Sequence, residues 1–558
     1  MIKAQGIQKS YGILNVLSDV SFDVGTGQCV ALVGYNGTGK STLLKIIAGL
    51  ERADAGYVEL SANATVGYLP QDTSVEGDAP VMQYLRQATG IEELEREMDD
   101  LAQRLDDQEG RKRYGALQTA FDHMDGYSFE HRAKAMLTGF GLDGAYAAAP
   151  LSKLSSGQKS KVALLAILLK QNDVLLLDEP TNNLDLPALI WLESYLNASK
   201  ATIVLVSHDR AFIDRLSDKI IELDWRTHSV SVTNGTYTDY LAMKERQSRK
   251  QKEAFERQQG EIARLNDRAS SLRLKSAQGS KWIGTDNDKF LRGFKRDKAG
   301  KSSKGARTIE GRIERMEKVE RPFDRSPLEV DISEDLGKGD RDITLVNAVV
   351  GYTGGFTIGP VSCSLRFGSR AGTMGSNGSG KTTLLKTIAG YLKPISGQVA
   401  IGSKVRFGDL MQEHDSLPRS SSPLEFIVHR TGMEKHRAYN MVVKSGLNAS
   451  QATESIASLS PGSRARLLLA LFSALHANVL VLDEPTNHMD IEAMEAMESA
   501  LMNYKGTLIV VSHDRYFMER LVLDDSYLLQ DGRLEPVRDF AEYLASAEKK
   551  AQQLLKAL

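Results

Sequence analysis

Gly34-Tyr35-Asn36-Gly37-Thr38-Gly39-Lys40-Ser41 decides the fold of this chain, because Gly375-Ser376-Asn377-Gly378-Ser379-Gly380-Lys381-Thr382 writes the same octet again 341 residues later. Glycines at these intervals let backbone N–H groups crowd around phosphate oxygens. Lys40 and Lys381 are placed to reach the β- and γ-phosphates of a nucleotide such as ATP, and Ser41 and Thr382 to hold Mg2+. Gly34, Asn36, Gly37, Gly39 and Thr42 complete one nucleotide-binding set. Gly375, Asn377, Gly378, Gly380 and Thr383 complete the other. The apolar run Val30-Ala31-Leu32-Val33 leads into the first octet, and helical spacing follows from Ser41 to Leu50. Strand, loop and helix in that order are the plan of a nucleotide site in an α/β fold.

A second pair of motifs lies downstream of each octet. Asp178-Glu179-Pro180-Thr181-Asn182 and Asp483-Glu484-Pro485-Thr486-Asn487 are 305 residues apart. Asp178 and Asp483 end apolar strands, where a carboxylate holds Mg2+ through water. Glu179 and Glu484 follow directly and are the candidate general bases for an attacking water. Two fixed offsets imply two homologous domains, and the difference of 36 residues is an insertion in the first. Val174-Leu175-Leu176-Leu177 and Ile203-Val204-Leu205-Val206 read as further buried parallel strands.

Bulk properties agree with several folded domains. A chain of 558 residues exceeds what one hydrophobic core supports. Apolar residues make up 41% and charged residues 25%, the balance of an ordinary soluble protein. Cys29 and Cys363 are too few for a disulfide framework, so a reducing cytoplasm is the simplest reading. The start, Met1-Ile2-Lys3-Ala4-Gln5, has no signal-like apolar core. The longest apolar run, Val162 to Leu169, is far short of the roughly 20 residues a membrane span needs.

The net charge of −2 conceals an asymmetry. Lys244 to Arg325 carries 24 Lys and Arg against 13 Asp and Glu, a net +11 that leaves −13 for the rest. A basic segment on an acidic protein implies contact with a polyanion. Within it, Phe255, Ile262 and Ala269 recur every seven residues, with Leu265 and Leu272 three after the last two. That is a narrow coiled-coil-like seam. Residues 276–305 are rich in Gly, Ser, Lys and Asp and break the pattern, and Ile309, Ile313 and Met316 resume it before Pro322 and Pro327. The reading is a helical hairpin with a loop at its tip, its first helix about 35 residues and ~50 Å long. Trp282, Phe290 and Phe294 alternate there with Lys281, Lys289, Arg292, Lys295 and Arg296. Phosphate contacts plus stacking aromatics suit irregular RNA.

With these motifs assembled, the chain resembles the ATP-binding cassette superfamily. Leu154-Ser155-Ser156-Gly157-Gln158 looks like the cassette signature, and Leu459-Ser460-Pro461-Gly462-Ser463 is a more divergent copy. Gln71 and Gln412 match the Q-loop glutamine, a further metal ligand in the family. His208 and His513, each in Ser-His-Asp-Arg, match the switch histidine. Asp185 and Asp490 match the D-loop aspartate, and Tyr11 and Tyr352 the aromatic that stacks on adenine. The resemblance implies two cassettes facing head to tail, so that Ser460 and Gly462 complete the first site and Ser155 and Gly157 the second. Both sites are expected to bind ATP. Pro461, Ser463 and Ser156 depart from the usual signature, and unequal hydrolysis is the consequence to look for. The insertion falls between Gln71 and Ser155, where Ile91 to Leu105 has helical leucine spacing.

The stretches Asn182-Asn183-Leu184-Asp185 and Asn487-His488-Met489-Asp490 extend the acidic motifs in the manner of the F subfamily, with Asn183 in place of its usual histidine. The basic two-helix linker and the arm in the first cassette alone are also similar to that subfamily. The expected domains are a first cassette over 1–240 with its arm at about 86–130, a linker over 241–327, a second cassette over 328–545 and a short helical tail over 546–558. The resemblance implies an ATPase, acting as a monomer with intramolecular cassette dimerisation. Such factors bind the ribosomal tRNA exit site and reach the peptidyl-transferase centre, rRNA and peptidyl-tRNA through the linker. Both a housekeeping role and antibiotic resistance fit. A transporter ATPase subunit would leave the basic hairpin without a purpose. A DNA-associated cassette protein would carry longer coiled coils or zinc cysteines. Two cysteines exclude the iron–sulfur recycling type, which needs about four per cluster.

Overall fold

The structure is a computed structural model. It describes residues 2–71, 75–102, 108–280, 289–316, 319, 342–410, 417–418, 420–459, 461–486, 489, 491–537 and 540–556. The chain separates into two compact units, Met1–Tyr237 with Ser326–Leu558, and Thr238–Arg325. The first unit holds one α/β fold twice over, matching the two expected cassettes.

The first cassette runs β1 (Ile2–Tyr11), β2 (Leu14–Val24), β3 (Cys29–Val33), α1 (Lys40–Ile47), β4 (Ala55–Leu60), β5 (Val66–Leu69), α2 (Val81–Thr89), α3 (Ile91–Ala102), α4 (Gln108–His123), α5 (Phe129–Gly139), α6 (Ser156–Leu169), β6 (Val174–Asp178), α7 (Leu186–Ala198), β7 (Thr202–Val206), α8 (Arg210–Leu216), β8 (Lys219–Leu223) and β9 (Val230–Asn234). Its main sheet has the order β5-β6-β7-β3-β8-β9, parallel except for β9. A second sheet, β2-β1-β4, is antiparallel. Every residue of β3, β6 and β7 is buried, as continuous apolar strands covered on both faces must be. Between the sheets lies α1, with Leu43 and Leu44 fully buried against Ile7, Val20, Val30 and Val204. Truncating either leucine to Ala would cost about 2–5 kcal/mol. This packing fixes the helix that begins at Lys40, and so fixes the phosphate loop before it.

The linker helices are α9 (Tyr237–Ser280) and α10 (Lys289–Arg315). The second cassette then runs β10 (Ile343–Gly351), β11 (Thr357–Leu365), β12 (Arg370–Met374), α11 (Lys381–Ile388), β13 (Ser396–Ile401), β14 (Phe407–Leu410), α12 (Pro423–Thr431), α13 (Lys435–Lys444), α14 (Pro461–Ala474), β15 (Val479–Asp483), α15 (Ile491–Met502), β16 (Thr507–Val511), α16 (Arg515–Arg520), β17 (Asp525–Gln530), β18 (Arg533–Val537) and α17 (Phe540–Leu555). Its sheets, β14-β15-β16-β12-β17-β18 and β11-β10-β13, repeat the first pair strand for strand. The helices α3 and α4 have no counterpart between α12 and α13.

The linker departs from the expected hairpin in one respect. Instead of a loop over 276–305, α9 continues to Ser280 and α10 is already helical from Lys289. Gly293, Gly300 and Gly305 each cost a helix about 1 kcal/mol relative to Ala. Packing offsets this, because Gly305 lies against Leu272 of α9, and Ala269 and Ala306 are buried at the seam. Lys281 and Trp282 lie outside the described residues, while Phe290 and Phe294 fall on α10.

Candidate nucleotide sites

Each phosphate loop is shaped by glycines that no other residue replaces. Gly39 and Gly380 have φ of 99° and 100°, a left-handed conformation that favours glycine. A Cβ on Gly39 would meet Val16 Cγ1 at 2.4 Å, and one on Gly380 would meet Ile358 Cδ1 at 2.4 Å. The loops curl around their own lysines. Lys40 Nζ donates to the carbonyls of Gly34 and Tyr35, both at 2.8 Å. Lys381 Nζ donates to those of Gly375 at 2.8 Å and Ser376 at 3.1 Å.

A cavity of about 340 Å3 opens on the first loop, lined by Tyr11, Lys40, Ser41, Gln71, Asp178 and Glu179 with Asn36, Gly37, Gly39 and Thr42. Tyr11 is half-exposed, and its hydroxyl bonds the Glu51 carboxylate. Tyr352 is likewise half-exposed in the second copy. Thr382 Oγ1 donates to Asp483 Oδ2 at 2.6 Å, which brings together a hydroxyl and a carboxylate of the oxygen-donor kind Mg2+ takes. Gln412 lies outside the described residues, as do Ser460 and Asp490.

The acid–histidine pairs are duplicated in detail. Glu179 and Glu484 have φ of 54° and 48°, left-handed and strained for a non-glycine residue. Their amides are held by the carbonyls of Val206 and Val511, each at 2.8 Å, so neighbouring strands impose the strain. His208 Nε2 lies 3.1 Å from Glu179 Oε1 and 3.2 Å from Asn36 Oδ1. His513 Nε2 lies 3.3 Å from Glu484 Oε1 and 3.3 Å from Asn377 Oδ1. Burial lifts the Glu179 carboxyl to about 7 against the pull of Lys40. Burial lifts Glu484 to about 8 against the pull of Lys381. Burial and the Lys381 charge hold the His513 imidazole down at about 3.

The two cassettes meet at these sites. The Asn377 amide donates to Asp185 Oδ2 at 3.0 Å, and its side-chain nitrogen to the Asn183 carbonyl at 3.1 Å. A cavity of about 270 Å3 has Asn377, Glu484, His513, His208 and Thr181 in its wall, so both histidines face one space. Ser155 does not enter these contacts. It caps α6, accepting from the Gln158 amide while Gln158 Oε1 accepts from the Ser155 amide. Gly157 sits in the same helical turn, and Gly462 in the first turn of α14. Asn183 and Asp185 supply the described hydrogen bonds from the first cassette to the second phosphate loop.

Two sets of residues escaped the sequence reading. Lys161 is buried and binds Asp185 at 3.2 Å, which steadies the aspartate under Asn377. Burial alone would raise the Asp185 carboxyl, but Lys161 and the Asn377 amide bring it below its ordinary value. Arg210 and Arg515 follow the histidines and are buried against Glu498 and Glu193 of the opposite cassette. The offset of 305 that relates the motifs also relates these four, a spacing that pairs them without showing what they bind.

Comparisons with known proteins agree with this fold. A family model described as "ABC transporter" matches residues 17–182 and 358–487. The chain is 34% identical to the "Tylosin resistance ATP-binding protein TlrC" of Streptomyces fradiae, over 93% of this chain and 95% of that protein. It is 31% identical to "ABC transporter F family member 2" of Arabidopsis thaliana, over 99% and 80%. It is 30% identical to "Probable ATP-binding protein YheS" of Escherichia coli K12, over 99% and 83%. Among solved structures, the archaeal ribosome recycling factor aABCE1, in complex with stalk protein aP1, superposes with a TM-score of 0.60. It is 19% identical over 97% of this chain and 92% of that one, a likeness of fold.

Proposed function

Because the chain belongs to the ATP-binding cassette family, in its F subfamily, we propose that it is an ATP-hydrolysing factor that acts on the ribosome. The observation that carries the enzymatic half is the duplicated centre, in which a buried glutamate and a histidine sit beside a phosphate loop in both cassettes. Tyr11 and Tyr352 stack the adenines. The loop amides, with Lys40 and Lys381, bind the β- and γ-phosphates. Ser41, Gln71 and Asp178, and in the second site Thr382, Gln412 and Asp483, would hold Mg2+, which supplies charge neutralisation at the phosphates when bound.

Glu179 and Glu484 take the proton of the attacking water. A carboxyl lifted toward neutrality by burial is a stronger base than an exposed one, and remains ionisable at working pH. His208 and His513 sit between each glutamate and a phosphate-loop asparagine, positioned to read whether the γ-phosphate is present. Asp185 ties the second loop to the first cassette, so the second site draws on both halves.

The ribosomal half rests on the linker. It carries a net +11 between Lys244 and Arg325, a stretch that includes most of α9 and all of α10. A basic helical segment of that kind suits rRNA and peptidyl-tRNA, and no described helix is long and apolar enough to cross a membrane. We read the protein as cytoplasmic, docking in the tRNA exit site with the linker toward the peptidyl-transferase centre. The likeness to a tylosin resistance protein along nearly its whole length favours ribosomal protection over a housekeeping role.

Two measurements test this. Added ribosomes are expected to accelerate ATP hydrolysis at least several-fold, and an unchanged rate would contradict the ribosomal assignment. Cells expressing the protein are expected to tolerate a raised concentration of at least one drug in a panel of peptidyl-transferase and exit-tunnel inhibitors. Unchanged susceptibility across the panel would leave the housekeeping role.

A further inference from the structure

Beneath the two nucleotide sites, six charged side chains knit the cassettes together. Glu193 on α7 and Glu498 on α15 are both almost fully buried. Glu498 accepts from Arg210 Nη2 and, at 3.3 Å, from Arg210 Nη1. It also accepts from Arg520 Nη1 at 2.9 Å. Glu193 accepts from Arg515 Nη2 at 2.7 Å and from Arg215 Nη1 at 2.9 Å. Each carboxylate therefore binds one arginine of α8, from the first cassette, and one of α16, from the second. Arg210 and Arg515 are 1% and 2% exposed, too deep for solvent to stand in for the lost partner. All three pairs, 193 with 498, 210 with 515 and 215 with 520, obey the 305-residue offset, so the arrangement is reciprocal.

The location gives this cross-brace a consequence beyond adhesion. His208 and His513 are joined to Arg210 and Arg515 through Asp209 and Asp514, which cap α8 and α16 by accepting from the amides of Phe212 at 2.9 Å and Phe517 at 3.0 Å. A rigid cap links each imidazole to a guanidinium anchored in the other cassette. The helix α7, which carries Glu193, follows directly on Asp185, the residue that holds the second phosphate loop. A shift of one histidine helix is thus imposed on the other through carboxylates that both helices share. The brace is not fully symmetric. The Arg210 guanidinium stacks on Tyr516 at 4.2 Å, where the equivalent position beside Arg515 is Ala211. Arg215 instead gains Glu548 of α17 at 2.5 Å.

We propose that Glu193 and Glu498, with Arg210, Arg215, Arg515 and Arg520, are positioning residues that hold His208 and His513 in register, so that turnover at one nucleotide site depends on the state of the other. The inference rests on the reading that both sites hydrolyse ATP. It is tested by four proteins: wild type, Glu484→Gln, the pair Glu193→Gln with Glu498→Gln, and the triple variant. In the wild-type background Glu484→Gln is expected to cut turnover at least tenfold, because the intact site waits on the blocked one. In the brace-cut background the same substitution should cut it no more than twofold. Brace-cut protein should show a kcat reduced by at least tenfold with affinity for a fluorescent ATP analogue within twofold of wild type. Equal factors in the two backgrounds, or a parallel fall of nucleotide affinity and rate, would overturn the proposal. Should the buried substitutions prevent folding, Arg215→Gln with Arg520→Gln cuts the brace at its solvent side, where those side chains are 43% and 44% exposed. Uncoupling of about threefold is expected there, and full retention of coupling overturns the proposal. A wild type that binds ATP without hydrolysing it would instead refute the ATPase reading.

Discussion

Glu179 and Glu484 are the residues on which the enzymatic reading turns, and their burial makes a prediction about stability. Both carboxyls are lifted in the folded protein, to about 7 and about 8, while the unfolded chain holds them near 4.5. Between those limits the folded state binds more protons than the unfolded state, so stability falls as pH rises. The contribution is fully present below about pH 4.5 and is lost through about pH 7–8. Thermal melts of nucleotide-free protein from pH 5 to 8.5 are expected to show a midpoint falling with pH. Glu179→Gln with Glu484→Gln should flatten that fall and melt higher than wild type at pH 8. An identical pH profile in both proteins would contradict the burial argument. These glutamates were legible in the sequence because the chemistry is contiguous: strand, Asp, Glu. Lys161, Glu193 and Glu498 were not, because their roles arise from partners 24 or more than 280 residues away.

At the scale of the element, the linker hairpin shows how composition misleads. A stretch rich in Gly and Ser suggested a loop over 276–305, yet α10 begins at Lys289. The period-seven seam was visible because it depends on spacing, whereas the packing of Gly305 against Leu272 depends on a helix from the other side of the tip. Ion pairs contribute little to holding the helices together. Arg273–Glu310 and Arg312–Glu261 are largely exposed and worth about 0–1 kcal/mol each. The buried small residues set how closely the helices approach. Ala306→Glu places a charge at a position 1% exposed, so the helices must splay to hydrate it. Limited proteolysis is expected to cut the variant between 289 and 315 at least several-fold faster than wild type, with ATP binding unchanged. Equal cleavage rates would show that the seam does not hold the hairpin.

For the whole molecule, duplication was the legible fact, and it gave the fold of two tandem cassettes. How the halves meet was less so. Asn183 and Asp185 bond Asn377 of the second phosphate loop, contacts that were not read from the sequence. That junction depends on how two folded cassettes settle on each other, which no local pattern encodes. On the proposed function, the ATP-bound form grips the ribosome and hydrolysis releases it. Substituting Glu179→Gln and Glu484→Gln together removes both bases while leaving the phosphate loops intact, so hydrolysis should fall about 100-fold or more. The direct measurement is sedimentation of this variant with ribosomes through a sucrose cushion in the presence of ATP. The variant is expected to pellet with ribosomes and arrest translation, while the wild type largely remains above. A variant that stays in the ribosome-free fraction with ATP present would contradict it.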